Sequence, residues 1–278
     1  MTTIRYRLLN VFAETAFGGN PLAVIEDASA LSDADMLAVA RQFNLSETTF
    51  LLPSQRAAAR VRIFTPGGEM AFAGHPTLGS AQVVRELTGA ADHFDLELKA
   101  GLIAVRADAG RWSLTANAAL CRATQATPAQ LAAMLGLPES GVDTAMWVNS
   151  GTEQLLIELA GADLVRACRP NAALLAALCR NADGQVKAYV FARTPTGFEA
   201  RYFSMSDETS IREDPGTGSA CANLGGWWQA TEGDAPLAAE IEQGAQVHRP
   251  CRLSLTVNDG RIEVGGRVIE LGQGQLHW

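Results

Sequence analysis

The chain has 278 residues, 47% of them hydrophobic and 19% charged, which is enough apolar material for two ordinary cores and too much for a disordered segment. Its net charge is −8 and its isoelectric point about 5.1. There is no cluster of Lys and Arg, so nucleic acid and anionic membrane surfaces are excluded as partners. No apolar run reaches the roughly 20 residues of a membrane-spanning helix.

In chain order, the opening MTTIRYRLLNVF reads as a strand (3–13) rather than a signal peptide, followed by a strand at 21–26. Ser32 caps an amphipathic helix to Phe43: Asp33 and Asp35 suit its first turn, Met36, Val39, Ala40 and Phe43 form one face, and Asn44 ends it. Strands are then predicted at 45–52 and 60–64. A proline-led helix from Pro76 runs through Leu78, Ala81, Val84 and Leu87 to Gly89. Strands at 94–98, 102–107 and 111–115 precede an Ala- and Thr-rich stretch over 115–127. Helices at 128–135 and 171–181 alternate with strands at 145–149, 154–160, 187–193 and 197–203. A second proline-led helix from Pro215 ends at Gly233, and strands at 251–257, 261–265 and 267–271 finish the chain. Many short strands around one long helix in each half indicate an α+β class.

The halves are related. Residues 62–84 align without a gap onto residues 201–223 at a constant offset of 139, with seven identities that include Arg62/Arg201, Phe64/Phe203, Glu69/Glu208, Pro76/Pro215 and Gly79-Ser80-Ala81/Gly218-Ser219-Ala220. In this alignment His75 stands opposite Asp214. Two similar halves that differ in polar residues at one equivalent loop point to a single site built between two domains. A helix N-terminus offers unpaired N–H groups to an anion, so Gly74-His75-Pro76-Thr77 and Asp214 to Ser219 are candidate carboxylate holders, aided by the hydroxyls of Thr77 and Ser219. The same glycines also serve a purely structural need for tight helix–strand packing. Neither loop is a P-loop or a dinucleotide fingerprint.

Glu47 begins an otherwise apolar strand. Partial desolvation there makes a carboxylate a stronger base, and a solvated edge-strand acid fits the same pattern. Arg62 and Arg201 are placed to pair with Glu69 and Glu208. Trp227-Trp228 reads as core or interface. The four histidines, at 75, 93, 248 and 277, have no metal-ligand spacing. Five scattered cysteines, at 121, 168, 179, 221 and 251, read as reduced thiols of a cytoplasmic protein.

Five segments in order, Gly19-Asn-Pro-x-Ala-Val24, Ser46-Glu-Thr-x-Phe50, Arg62-x-Phe-Thr-Pro66, Gly74-His-Pro-Thr77 and Glu213-Asp-Pro-x-Thr-Gly-Ser-Ala220, resemble the PhzF family of phenazine-biosynthesis isomerases. The resemblance implies the diaminopimelate epimerase fold: two pseudo-symmetric domains, each a barrel-like sheet around a central helix, covering 1–116 plus 268–278 and 117–267. It implies Glu47 as general base and acid, His75 and Asp214 lining the substrate, and Ser46, Gly74, Gly218 and Ser219 holding its carboxylate and ring substituents. The expected activity is tautomerisation or isomerisation of a small cyclic or amino-acid-like carboxylate in the interdomain cleft, with no cofactor and no metal, in a homodimer. A silent carboxylate-binding protein is one alternative. A two-cysteine epimerase or racemase of the same fold is another, disfavoured because Ala73 stands where the first thiol belongs.

Overall fold

A computed structural model describes residues 3–207 and 209–277. The chain forms two compact units, Met1–Thr115 with Gly265–Trp278, and Ala116–Val264.

In the first unit, β1 (Thr3–Val11) pairs antiparallel with β2 (Asn20–Ile25). Helix α1 (Asp33–Phe43) opens on a capping box in which Ser32 and Asp35 satisfy each other's backbone N–H, and it closes on Asn44 in the left-handed conformation. It carries the chain to β3 (Glu47–Leu52), parallel to β2; β4 (Ala59–Thr65) and the short β5 (Gly68–Met70) follow antiparallel. Then come helix α2 (Gly74–Thr88), β6 (His93–Leu98) parallel to β4, β7 (Gly101–Asp108) and β8 (Arg111–Thr115).

The second unit opens with β9 (Leu120–Ala123), α3 (Pro128–Leu135), β10 (Val142–Asn149) and β11 (Glu153–Leu159). Helices α4 (Ala162–Ala167) and α5 (Ala172–Leu178) lead to β12 (Val186–Thr194), parallel to β11. Antiparallel β13 (Gly197–Met205) and β14 (Ile211–Asp214) precede helix α6 (Gly218–Glu232), and β15 (Leu237–Gln243) and β16 (Cys251–Asn258) follow it. The last strand, β17 (Arg261–His277), runs antiparallel along all of β1 and also pairs with β8, which closes the first unit's sheet into a barrel. The predicted breaks at 265–267 are absent: 261–265 and 267–271 are parts of one strand. Strands β5, β9, β14 and β15 and helix α4 have no counterpart among the sequence expectations, being short, exposed or weakly alternating.

The two units repeat one sequence of pairings. Parallel β2/β3 corresponds to β11/β12, antiparallel β3/β4 to β12/β13, β4/β5 to β13/β14, and parallel β4/β6 to β13/β15. One helix of each unit lies inside its sheet. From His75 to Ala81 every residue of α2 is buried, as is every residue of α6 from Ala220 to Trp227. The other helices cover the outer face. Met36 and Ala40 of α1 pack with Phe50 and Phe64, while α3, α4 and α5 pack with Ala188, Val190 and Phe203.

The structure corrects the gapless alignment of the repeat. Strands β4 and β13 keep the offset of 139, but α2 and α6 are both 15 residues long and begin at Gly74 and Gly218, an offset of 144. Gly79 of α2 presses on Leu22 of β2, and Asn223 of α6 hydrogen-bonds Gln154 of β11, the residue at the matching step. His75 therefore corresponds to Ser219 rather than to Asp214, which lies on β14. Neither proline holds the first helical position. Pro76 is the third residue of α2, and Pro215 precedes α6 by three. In a first turn the proline costs no hydrogen bond, because those N–H groups have no intrahelical acceptor.

Arg62 binds Glu69 at 2.7 Å and Asp33 at 2.6 Å, as a structural tie. Glu208, the residue expected to pair with Arg201, lies outside the described residues. Arg201 grips Glu213 with the Nε and Nη2 of one guanidinium edge, at 2.9 and 2.7 Å.

Candidate functional site

The first unit brings Glu47 and His75 together. Glu47 starts β3 level with Leu22 of β2, and strand alternation turns it to the face that carries α2: Thr49, two residues on, accepts a hydrogen bond from Ser80 of that helix at 2.9 Å. His75 is the second residue of α2. Its Nε2 lies 3.5 Å from Glu47 Oε2, with the side chains 7% and 16% exposed. Burial raises the Glu47 pKa above the ordinary carboxylate range, and the hydroxyl of neighbouring Ser46 pulls it part of the way back. Oε2 is buried and accepts no hydrogen bond. Poor solvation of this kind raises a carboxylate's affinity for a proton. Asn20 Oδ1 lies 3.4 Å from the same hydroxyl, as an alternative acceptor for its single proton.

Helix α2 opens without a side-chain cap, since its N-cap residue is Ala73. The same holds for α6, where the N-cap Thr217 makes no capping bond. The outer helices differ: Ser32, Thr127 and Asn171 each accept a first-turn N–H of α1, α3 and α5. Uncapped first turns at Gly74 and Gly218 leave backbone donors and partial positive charge for an external anion. Thr77, expected to offer its hydroxyl to that anion, does not. It is fully buried and donates to the Ala73 carbonyl at 2.7 Å.

In the second unit Asp214 accepts a hydrogen bond from the Thr217 hydroxyl, and its carbonyl accepts from Gln243 Nε2 at 2.8 Å. Ser219, the second residue of α6, accepts from Gln154 Nε2 at 3.0 Å, so its own proton remains to be donated. Gln154 is held in turn by Asn223, whose Nδ2 donates to Gln154 Oε1 at 2.9 Å and to the Thr152 carbonyl at 3.0 Å. Ser150 donates to Asn223 Oδ1 from both its backbone N–H and its hydroxyl, at 2.8 and 2.6 Å.

Sequence reasoning passed over Asn20, Gln154, Asn223 and Gln243. The available signal was an amide inside an apolar strand or helix, which is tolerated only when it has a hydrogen-bond partner.

Among the described residues no group of three or more His, Cys, Asp or Glu side chains is placed to hold a metal, and no helix is long and apolar enough to cross a membrane. None of the five cysteines forms a disulfide. Cys221 is fully buried inside α6, and desolvation pushes its pKa well above the ordinary thiol value. No thiol stands at the start of either inner helix, so the two-cysteine route to stereoinversion lacks its bases.

The family model for phenazine biosynthesis-like proteins (PhzC-PhzF) matches residues 9–274. An uncharacterized isomerase of Pasteurella multocida is 39% identical, over 99% of this chain and 95% of its own. The trans-2,3-dihydro-3-hydroxyanthranilate isomerase of Pseudomonas aeruginosa is 32% identical, over 98% and 99%. A Bacillus anthracis PhzF-family crystal structure shares the fold at a TM-score of 0.90 with 22% identity, covering both chains completely. Match length and identity together make this chain a member of the phenazine biosynthesis-like PhzF family of isomerases, with its epimerase-like α+β fold.

Proposed function

We propose that the chain moves a proton between two carbons of a small cyclic carboxylate, without a cofactor, using Glu47 as base and then as acid. The carboxylate takes a proton from a carbon acidified by an adjacent conjugated system and returns it to another carbon of that system. The net change is one shifted double bond. The observation that carries this reading is the state of Glu47: a buried carboxylate with a raised pKa and an oxygen that accepts no hydrogen bond, beside His75 Nε2 at 3.5 Å. His75 orients the carboxylate. The uncapped first turn of α2, at Gly74, supplies N–H donors to charge developing on the substrate. Asp214, Gly218 and Ser219 enter as substrate contacts on the family resemblance, and the free proton of Ser219 suits that role.

The named relative acts on trans-2,3-dihydro-3-hydroxyanthranilate, which is the first compound to try. Replacing Glu47 by Gln preserves size and removes the base. Isomerisation and solvent-deuterium incorporation should fall by about 10²–10⁴-fold, the usual worth of a positioned acid–base group. Ligand affinity should stay within a few-fold. Undiminished exchange in Glu47→Gln on a turned-over substrate would remove Glu47 from its role. Tight binding by the wild-type chain with no exchange on any ligand would favour a silent binder.

A further inference from the structure

We propose that Lys187 is the second unit's counterpart of Glu47 and binds the carboxylate group of the substrate. The register of the repeat makes the assignment. Phe64 of β4 stands opposite Thr48, and its repeat partner Phe203 of β13 stands opposite Ala188, so the residue before each, Glu47 and Lys187, occupies the same step. The parallel neighbours agree: Leu22 is level with Glu47 and Gln154 with Lys187, since Leu155 pairs with Ala188. Both side chains turn to the face that carries the inner helix. Ala188, Val190 and Ala192 belong to the outer core, which leaves Lys187, Tyr189 and Phe191 on the side where Phe191 meets Trp227 of α6 at 5.1 Å.

Lys187 is half-buried, and its ammonium donates to the Thr152 hydroxyl at 2.8 Å. Thr152 and Gln154 are tied by Asn223, whose Nδ2 donates to the Thr152 carbonyl and to Gln154 Oε1, and Gln154 is the residue that holds Ser219. Lys187 thus belongs to the cluster around the start of α6. Among the described residues it forms no ion pair; Asp183 acts on it only by longer-range attraction, and burial lowers its pKa. The other buried cations are treated differently, Arg62 being matched by Glu69 and Arg201 by Glu213. A cation kept half-buried with only a hydroxyl for company is costly unless an anion joins it. A carboxylate joining it would make a charge-assisted hydrogen bond. The proposal rests on the reading of the site as one for small carboxylates and assigns that group its cation.

The test compares two probes by calorimetry: anthranilate, and aniline as the same ring without the carboxylate. Wild-type protein should prefer anthranilate. Lys187→Met should weaken anthranilate by about ten-fold or more, the scale of one charge-assisted contact, and leave aniline within two-fold. Lys187→Arg should restore most of the preference. Thermal unfolding is measured alongside, and loss of the buried charge should leave Tm equal or higher. Lys187→Gln, which can still bond Thr152, replaces the Met variant if that one misfolds. Four results overturn the proposal: wild-type protein without preference for the carboxylate, a neutral variant with undiminished anthranilate affinity, equal loss of both probes, or misfolding of both neutral variants. Proton exchange dependent on Glu47 is assayed separately, so the base assignment stands or falls independently.

Discussion

Glu47 sits in its first unit at a cost that pH reveals. Its folded pKa is raised, so between the ordinary carboxylate value and the folded value the native state holds more protons than the unfolded chain. Stability then falls as pH rises through that window and stays reduced above it. Glu47→Gln should therefore raise Tm by a few degrees near neutral pH, with the gain vanishing at pH values below the ordinary glutamate pKa. Thermal unfolding of both proteins across pH checks this, and a gain that does not depend on pH would mean that ionisation is not its source. The Ser-Glu-Thr segment made Glu47 a candidate in the sequence, but its contact with His75 was not legible there. That contact needs β2 and β3 to pair in parallel and α2 to start at Gly74. The amide cluster of Gln154 and Asn223 was hidden for a similar reason: each partner lies far away along the chain.

The inner helices are set by packing rather than by helix propensity. A Cβ on Gly79 would come within 2.4 Å of Leu22 Cδ2 and 3.0 Å of Val11 Cγ2. On α6, a Cβ at Gly226 would meet the Ala119 Cβ at 2.2 Å and Val148 Cγ1 of β10 at 3.2 Å, so small residues recur where an inner helix is closely approached. Gly79→Ala should destabilise the protein by about 1–3 kcal/mol, in the range of an overpacked core, despite alanine's better helix propensity. Denaturant unfolding measures it, and a stabilised variant would show that Leu22 yields freely. The sequence expectations found both helices and the approximate extent of the longer strands, because glycine stops and alternation are local signals. They misjudged the start of α2 and α6 by importing the 139-residue offset of β4 and β13, where chance matches of Gly-Ser-Ala hid a difference of five residues in the connection. The carboxylate-holding role expected of Thr77 failed at the same place, since a residue four positions after the N-cap points its hydroxyl back at the N-cap carbonyl.

The first unit is made from both ends of the chain: β17 pairs with β1 from Thr3 opposite His277 to Val11 opposite Val268. A chain ending at Val264 keeps every residue of 3–115 but loses this partner. Limited proteolysis followed by mass spectrometry should then find new cleavages within 3–115, while the core built on Leu155, Val190 and Phe203 stays protected. Equal protection of both parts would mean that β1 holds its place unaided. A ribosome meets this arrangement as a question of timing. Everything the second unit requires has been made once residue 264 is joined, whereas β1 waits for residues 268–277. At about 5–20 residues per second, that delay is on the order of ten to fifty seconds. Throughout it β1 offers an open hydrogen-bonding edge to chaperones and to its own kind.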